Sequence, residues 1–178
     1  MARNIEIKAA VADAQALRTR VAELADDGPW LIEQHDIFFH CANGRLKLRR
    51  FGNGEGELIF YRRPDASGPK ACEYERNAVA DPDAMRRLLE MANGLRGEVI
   101  KTRTLFMAGR TRIHLDHVAG LGDYMELEVV LGADEPIGTG HDEAEQLMRE
   151  LGIDDSALVE GAYIDLIETQ DASAQPAS

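Results

Sequence analysis

Polar and apolar residues alternate along short runs through most of this chain, the period-two signature of strands with two unlike faces. Ile5 to Ala9 alternates around Glu6 and Lys8, and Leu31 to Cys41, which contains Ile37-Phe38-Phe39, is a second strand. Asn43-Gly44 offers a hairpin turn into Arg45-Leu46-Lys47-Leu48-Arg49. Gly52-Asn53-Gly54 turns the chain into Glu57 to Arg62, and a loop from Pro64 to Pro69 leads to a strand over 70–79. Three more strands are expected at 98–107, 110–118 and 123–131, broken at Ala108-Gly109 and Gly120-Leu121-Gly122. Helical spacing replaces the alternation over 13–26, where Leu17, Val21 and Leu24 align behind Asp13 as N-cap. It returns over 82–93, with Met85, Leu88, Leu89 and Ala92 on one face and Gly94 as a stop, and over 141–151, with Thr139 or Asp142 near the start and Gly152 at the end. Residues 157–168 are weakly helical, with Tyr163, Leu166 and Ile167 on one side.

Eight strands joined mostly by tight turns predict an α+β fold: an antiparallel sheet closed into a barrel, which removes exposed edges, with helices packed outside or capping an end. A length of 178 residues fits one domain, taken as 1–170, followed by a small polar tail at 171–178 expected to be disordered.

The polar strand positions are sorted by charge. Arg45, Lys47 and Arg49 share one face of their strand, as do Lys101 and Arg103; Arg112, His114 and Asp116 fall on every second position, and so do Glu126 and Glu128, and Glu6 and Lys8. A face that simply meets water would account for any one of these strands. Five strands divided into cation-rich and carboxylate-rich members point further. If helices cover the apolar face, the charged face lines the interior, where bare charges are costly unless the lumen is wet, internally paired or filled by a ligand. Along the chain, residues 45–112 hold 15 of the 20 Lys+Arg against 9 of the 32 Asp+Glu, and the remainder carries 5 against 23. A basic middle folded against acidic ends suits a polyphosphate with its metal ion: cations grip phosphate oxygens, and carboxylates hold a hard divalent cation.

Composition narrows the alternatives. A formal charge of −12 argues against nucleic-acid binding, which rests on phosphate neutralisation. No apolar run approaches the roughly 18 residues of a membrane span, and Met1-Ala2-Arg3-Asn4 lacks a secretory signal. Cys41 and Cys72 cannot staple a fold of this size and form no zinc motif, so a reduced, cytoplasmic setting is expected. A homodimer is the general expectation for self-association.

Taken in order and spacing, Asn4-Ile5-Glu6-Ile7-Lys8, Gly44-Arg45-Leu46-Lys47-Leu48-Arg49, Lys101-Thr102-Arg103, Arg112-Ile113-His114-Leu115-Asp116, Glu126-Leu127-Glu128 and Ala162-Tyr163-Ile164-Asp165-Leu166 resemble the CYTH domain family, over about residues 3–168. That family includes class IV adenylate cyclases, thiamine triphosphatases and other triphosphate tunnel metalloenzymes. The resemblance implies an eight-stranded tunnel for a triphosphate or nucleotide with Mg²⁺ or Mn²⁺. It implies Glu6, Glu126 and Glu128 as catalytic metal ligands, with Asp116 in addition. Lys8, Lys47, Arg49, Arg103 and Arg112 would hold phosphates, joined by Lys101 and by one of Arg62 or Arg63, here taken as Arg63. One position departs: the family signature is Glu-x-Glu-x-Lys, and Asn4 replaces its first glutamate. An amide oxygen can coordinate a metal but carries no charge and is no general base. The expected function is a phosphohydrolase releasing orthophosphate, with a class IV adenylate cyclase or a non-catalytic polyphosphate or nucleotide binder as alternatives.

The remaining singletons read as ordinary structure. His114 and His117 are three apart in a strand and face opposite sides, so only His114 belongs to the lumen. His35, His40 and His141 read as surface or half-buried residues, Cys41 and Cys72 as core or semi-exposed ones, and Trp30 with Phe38-Phe39 as packing. The acidic run 134–145 reads as a solvated loop and helix start.

Overall fold

Alternation does close into a cylinder. A computed structural model of the chain describes residues 2–174. Its strands are β1 (Ala2–Ala10), β2 (Asp27–Phe39), β3 (Arg45–Phe51), β4 (Gly56–Arg62), β5 (Lys70–Val79), β6 (Leu95–Ala108), β7 (Thr111–Val118) and β8 (Gly122–Leu131). They form a closed barrel in the order β1-β5-β4-β3-β2-β6-β7-β8, antiparallel throughout. Four helices surround it: α1 (Ala14–Leu24), α2 (Pro82–Asn93), α3 (Ile137–Leu151) and α4 (Tyr163–Ala174).

The barrel is apolar outside and charged inside because the helices cover its outer wall. Ile5, Ile7, Ile113, Leu127 and Val129 pack outward against Leu17 and Val21 of α1 and Ala144, Leu147 and Leu151 of α3. Ile37, Phe39 and Leu48 do the same against Leu89 of α2. Each such side chain contributes about 1.5–3 kcal/mol by leaving water. Gly140 lets α3 lie against the sheet; a Cβ there would come within 2.6 Å of Ile5 Cγ1 and 2.8 Å of Leu131 Cδ2. The helix ends follow the sequence signals. Asp13 accepts from the Ala16 N–H, Asp81 accepts from the Ala84 N–H, and Gly94 ends α2 at φ 78°.

The largest departures from the sequence reading fall in three elements. β2 begins at Asp27 and ends at Phe39, because its partner β6 is long enough to pair Asp27 with Met107. α3 starts at Ile137, set by Pro136 at φ −62°, with neither Thr139 nor Asp142 as its cap. The weak helix at 157–168 divides into a single 3₁₀ turn at Asp155–Ala157 and α4; Gly161, at φ 77°, separates them, and Asp165 accepts from the Ala162 N–H at 2.6 Å. α4 runs to Ala174, into the segment expected to be a disordered tail, and 175–178 lie outside the described residues.

Phe38 and Phe39 are buried on opposite faces. Trp30, expected to pack, is 42% exposed, since α2 covers only the far end of β2 at Ile37 and Phe39. Among the described residues no helix is long and apolar enough to cross a membrane.

Candidate functional site

The inward faces enclose a cavity of ≈ 320 Å³, within the range that takes small molecules. Eight cationic and five carboxylate side chains line it. All seven cations expected to hold phosphates are among them: Lys8, Lys47, Arg49, Arg63, Lys101, Arg103 and Arg112. Arg63 rather than Arg62 turns inward, completing the alternation Glu57, Ile59, Tyr61 of β4; Arg62 lies exposed over the Phe60 ring, 5.6 Å from its centroid.

Register explains how the carboxylates meet the cations. On β1, Glu6 and Lys8 pair across from Glu128 and Glu126 of β8; on β7, Arg112 and His114 pair across from the same two glutamates. Lys8 Nζ lies 3.0 Å from Glu126 Oε1, Arg103 Nη2 2.5 Å from Glu126 Oε2, and Arg112 Nη1 2.9 Å from Glu128 Oε2. Glu6 faces Arg63 at 3.3 Å. Burial opposes the charge on Glu126, but Lys8 and Arg103 outweigh it and hold its carboxyl well below the usual range. Glu128 is likewise lowered against its burial, by His114 first and then by Arg103 and Arg112.

His114, Glu126 and Glu128 form a group whose ligand atoms all lie within 4.8 Å of one another, a donor set that fits a divalent cation. Glu6 stands beside it, across from Glu128, held by Arg63. Asp116 is not brought into this group. Arg103 grips it with two hydrogen bonds of 2.7 and 2.6 Å, Lys101 stands at 3.3 Å, and the Tyr163 hydroxyl donates at 3.0 Å. Burial would raise the Asp116 carboxyl, yet Arg103 and Lys101 hold it far below its usual value.

Of the inward groups that escaped the sequence reading, three bear on the site. Asp36 of β2 accepts from Arg49 at 2.7 and 2.8 Å and from Lys47 at 2.8 Å, aligning two phosphate candidates. Against its burial, those two cations keep it well below the carboxylate range, while burial and Arg49 lower the Lys47 ammonium to about 8. Continuing the β2 alternation back from Phe38 through Asp36 and Gln34 would have found it. Tyr163, the first residue of α4, seals one end of the barrel with Phe38, Val99 and Val118. Its ring lies 4.0 Å from Lys8 Nζ and 4.9 Å from Lys101 Nζ. α4 is moored there by Asp165, which binds Arg45 at 2.8 Å and Arg96 at 2.5 Å. Arg76 also lines the cavity.

Other predicted positions are quieter. Asn4 is buried in the wall with its Oδ1 unpartnered. Cys72, its neighbour across β5, is buried, and that burial pushes its thiol up to about 12, leaving it a poor nucleophile. His117 lies outside, pairing with Asp123 at 2.7 Å, and His35 contacts Glu98.

A family model described as the CYTH domain matches residues 2–163. No curated protein matches the chain. Among solved structures, the PH1012 protein of Pyrococcus horikoshii OT3 superposes with a TM-score of 0.82 at 21% identity, covering 92% of this chain and 98% of its own. A proposed adenylate cyclase of Vibrio parahaemolyticus has a TM-score of 0.77 at 17% identity, covering 93% and 97%. A Hippeastrum protein, a proposed adenylyl cyclase described as revealing a dominant triphosphatase activity, has a TM-score of 0.64 at 17% identity, covering 99% and 98%. At these identities the likeness is one of fold.

Proposed function

The chain belongs to the CYTH domain family, and from that premise we propose that it is a divalent-metal-dependent phosphohydrolase that draws a triphosphate-containing small molecule into its barrel and releases orthophosphate. The family's tunnel fold acts on triphosphates, is metal-dependent, and includes triphosphatases and class IV adenylate cyclases. The observation that carries the reading is the set of seven cations, Lys8, Lys47, Arg49, Arg63, Lys101, Arg103 and Arg112, converging on one cavity in a closed barrel beside the carboxylates Glu6, Glu126 and Glu128. Such an interior is incomplete without an anion.

In this mechanism Lys47 and Arg49, held in place by Asp36, receive phosphate oxygens through charge-assisted hydrogen bonds. Lys8, Arg103 and Arg112 exchange part of their contact with Glu126 and Glu128 for phosphate, which frees carboxylate oxygens. Glu126, Glu128 and Glu6 would hold the metal. When bound, a divalent ion neutralises charge developing on the phosphoryl oxygens and acidifies a water. Arg63, whose Nε and Nη1 lack hydrogen-bond partners, adds a further cation for the phosphates, and Tyr163 excludes bulk water from the sealed end.

Adenylate cyclisation is the second reading. Ile32, Phe51, Tyr74 and Leu105 line the cavity away from α4, a setting that suits an organic ring rather than phosphate alone. Product analysis separates the readings. The purified chain is incubated with tripolyphosphate, thiamine triphosphate and ATP, each with Mg²⁺ and with Mn²⁺. Orthophosphate release supports hydrolysis; cyclic AMP with pyrophosphate supports cyclisation. Tight binding without turnover, with turnover restored by Asn4→Glu, would identify a binder instead.

A further inference from the structure

We infer that His114 is a nitrogen ligand to the ion held by Glu126 and Glu128, and that it turns this site toward first-row transition ions such as Mn²⁺ and away from Mg²⁺. The inference rests on the reading that the barrel holds a divalent ion.

His114 stands directly across from Glu126 and diagonal to Glu128 on one stretch of the inner wall. It is 3% exposed, and its Nδ1 has no hydrogen-bond partner. A buried polar atom left unpaired costs about 1–3 kcal/mol, so this nitrogen needs an occupant in front of it. What faces it is anionic oxygen: Glu126 Oε2 at 3.8 Å and Glu128 Oε1 at 3.7 Å. Both separations are too long for a hydrogen bond. They are close to what one ion spans, since two donors each about 2.0–2.2 Å from a metal lie roughly 3–3.5 Å apart. The three ligand atoms lie within 4.8 Å of one another, so side-chain adjustment, with Arg103 yielding its contact with Glu126 Oε2, brings them onto one ion.

Donor chemistry sets the preference. Mg²⁺ takes oxygen ligands and keeps much of its water, whereas imidazole suits transition ions. Asn4 acts in the same direction: where the family signature has a glutamate, an uncharged amide lessens the anionic oxygen available to a hard ion. A site with one fewer carboxylate and one imidazole gives up charge and gains a softer donor.

The test reads the metal, not turnover. Mn²⁺ and Mg²⁺ are titrated separately into the chelator-stripped chain by calorimetry, with and without tripolyphosphate, and bound Mn²⁺ is examined by pulsed electron paramagnetic resonance. The expected spectrum carries a ¹⁴N coupling from an imidazole. In His114→Gln that coupling disappears and Mn²⁺ affinity falls by about tenfold or more, while Mg²⁺ affinity changes by less than about threefold. Bound Mn²⁺ without nitrogen coupling, coupling that persists in His114→Gln, equal loss of both metals, or no Mn²⁺ binding under either condition would each overturn the inference. If His114→Gln does not fold, the wild-type spectrum alone decides. Nitrogen coupling in a chain that releases no orthophosphate retires the hydrolase reading and leaves this one standing. Orthophosphate release with bound Mn²⁺ lacking nitrogen coupling does the reverse.

Discussion

Two carboxylates on neighbouring strands, Asp116 and Glu128, share one interior and live differently. Asp116 is wholly buried, and two cations and a hydroxyl surround its oxygens. Glu128 keeps some exposure, one arginine contact, and an imidazole nitrogen 3.7 Å away that has no hydrogen-bond partner. The first cluster, at the end sealed by α4, is closed upon itself. The second, along β7 and β8, is left incomplete. Charge alone does not mark a binding group inside a barrel; unfilled hydrogen-bonding capacity does. In the proposed function Asp116 is therefore a positioning residue that holds Arg103 and Tyr163, while Glu128 and His114 are the groups that would face the ligand.

That contrast breaks first at Asp116. Replacing it with Asn leaves Lys101 buried without its counter-charge and Arg103 with Glu126 alone, which should cost about 3–5 kcal/mol of stability in urea unfolding. A loss below about 1 kcal/mol would erase the difference between the clusters. Glu128→Gln should do the opposite, lowering metal-dependent turnover at least about tenfold while unfolding shifts by less than about 1 kcal/mol. Next in size are Lys47→Ala and Arg49→Ala, each expected to weaken tripolyphosphate binding by about 1.5–3 kcal/mol in calorimetry; unchanged affinity in both would remove Asp36 and its partners from the site. Tyr163→Phe removes one hydrogen bond to Asp116 and should cost about 1 kcal/mol of stability with turnover nearly unchanged.

The smallest effect is on pH. Burial and Arg49 bring Lys47 down to about 8 from an ordinary 10.5, so tripolyphosphate affinity should fall as pH rises through 8 and the ammonium discharges. Stability moves the other way. Between pH 8 and 10.5 the folded chain holds fewer protons on this lysine than the unfolded chain, so the contribution of Lys47 to stability rises across that window. Affinity that is flat from pH 7 to 9, or a fall through pH 8 that persists in Lys47→Ala, would separate this lysine from the phosphates.

How far the sequence reached follows the same contrast. β1, β3, β7 and β8 were legible because each carries charge on one face and aliphatic residues on the other, and the helices cover only the aliphatic face. In β2 the code is obscured: Ile37 and Phe39 pack outward under α2 while Phe38 points to the sealed end of the lumen, so three consecutive apolar residues hide the alternation that places Asp36 inside. Asp116 was legible as an inward carboxylate but not as a saturated one, because Tyr163 and Arg103 reach it from elsewhere in the chain. The orphaned nitrogen of His114 had no sequence signal at all; it depends on the register that sets β7 beside β8.

A crystal structure of the chain grown with tripolyphosphate tests the central claim most directly. The phosphates should lie inside the barrel, within hydrogen-bond distance of Lys47, Arg49 and Arg112, with the Asp116–Arg103 pair undisturbed. An anion found only on the outer surface at saturating concentration, with every interior ion pair intact, would contradict it.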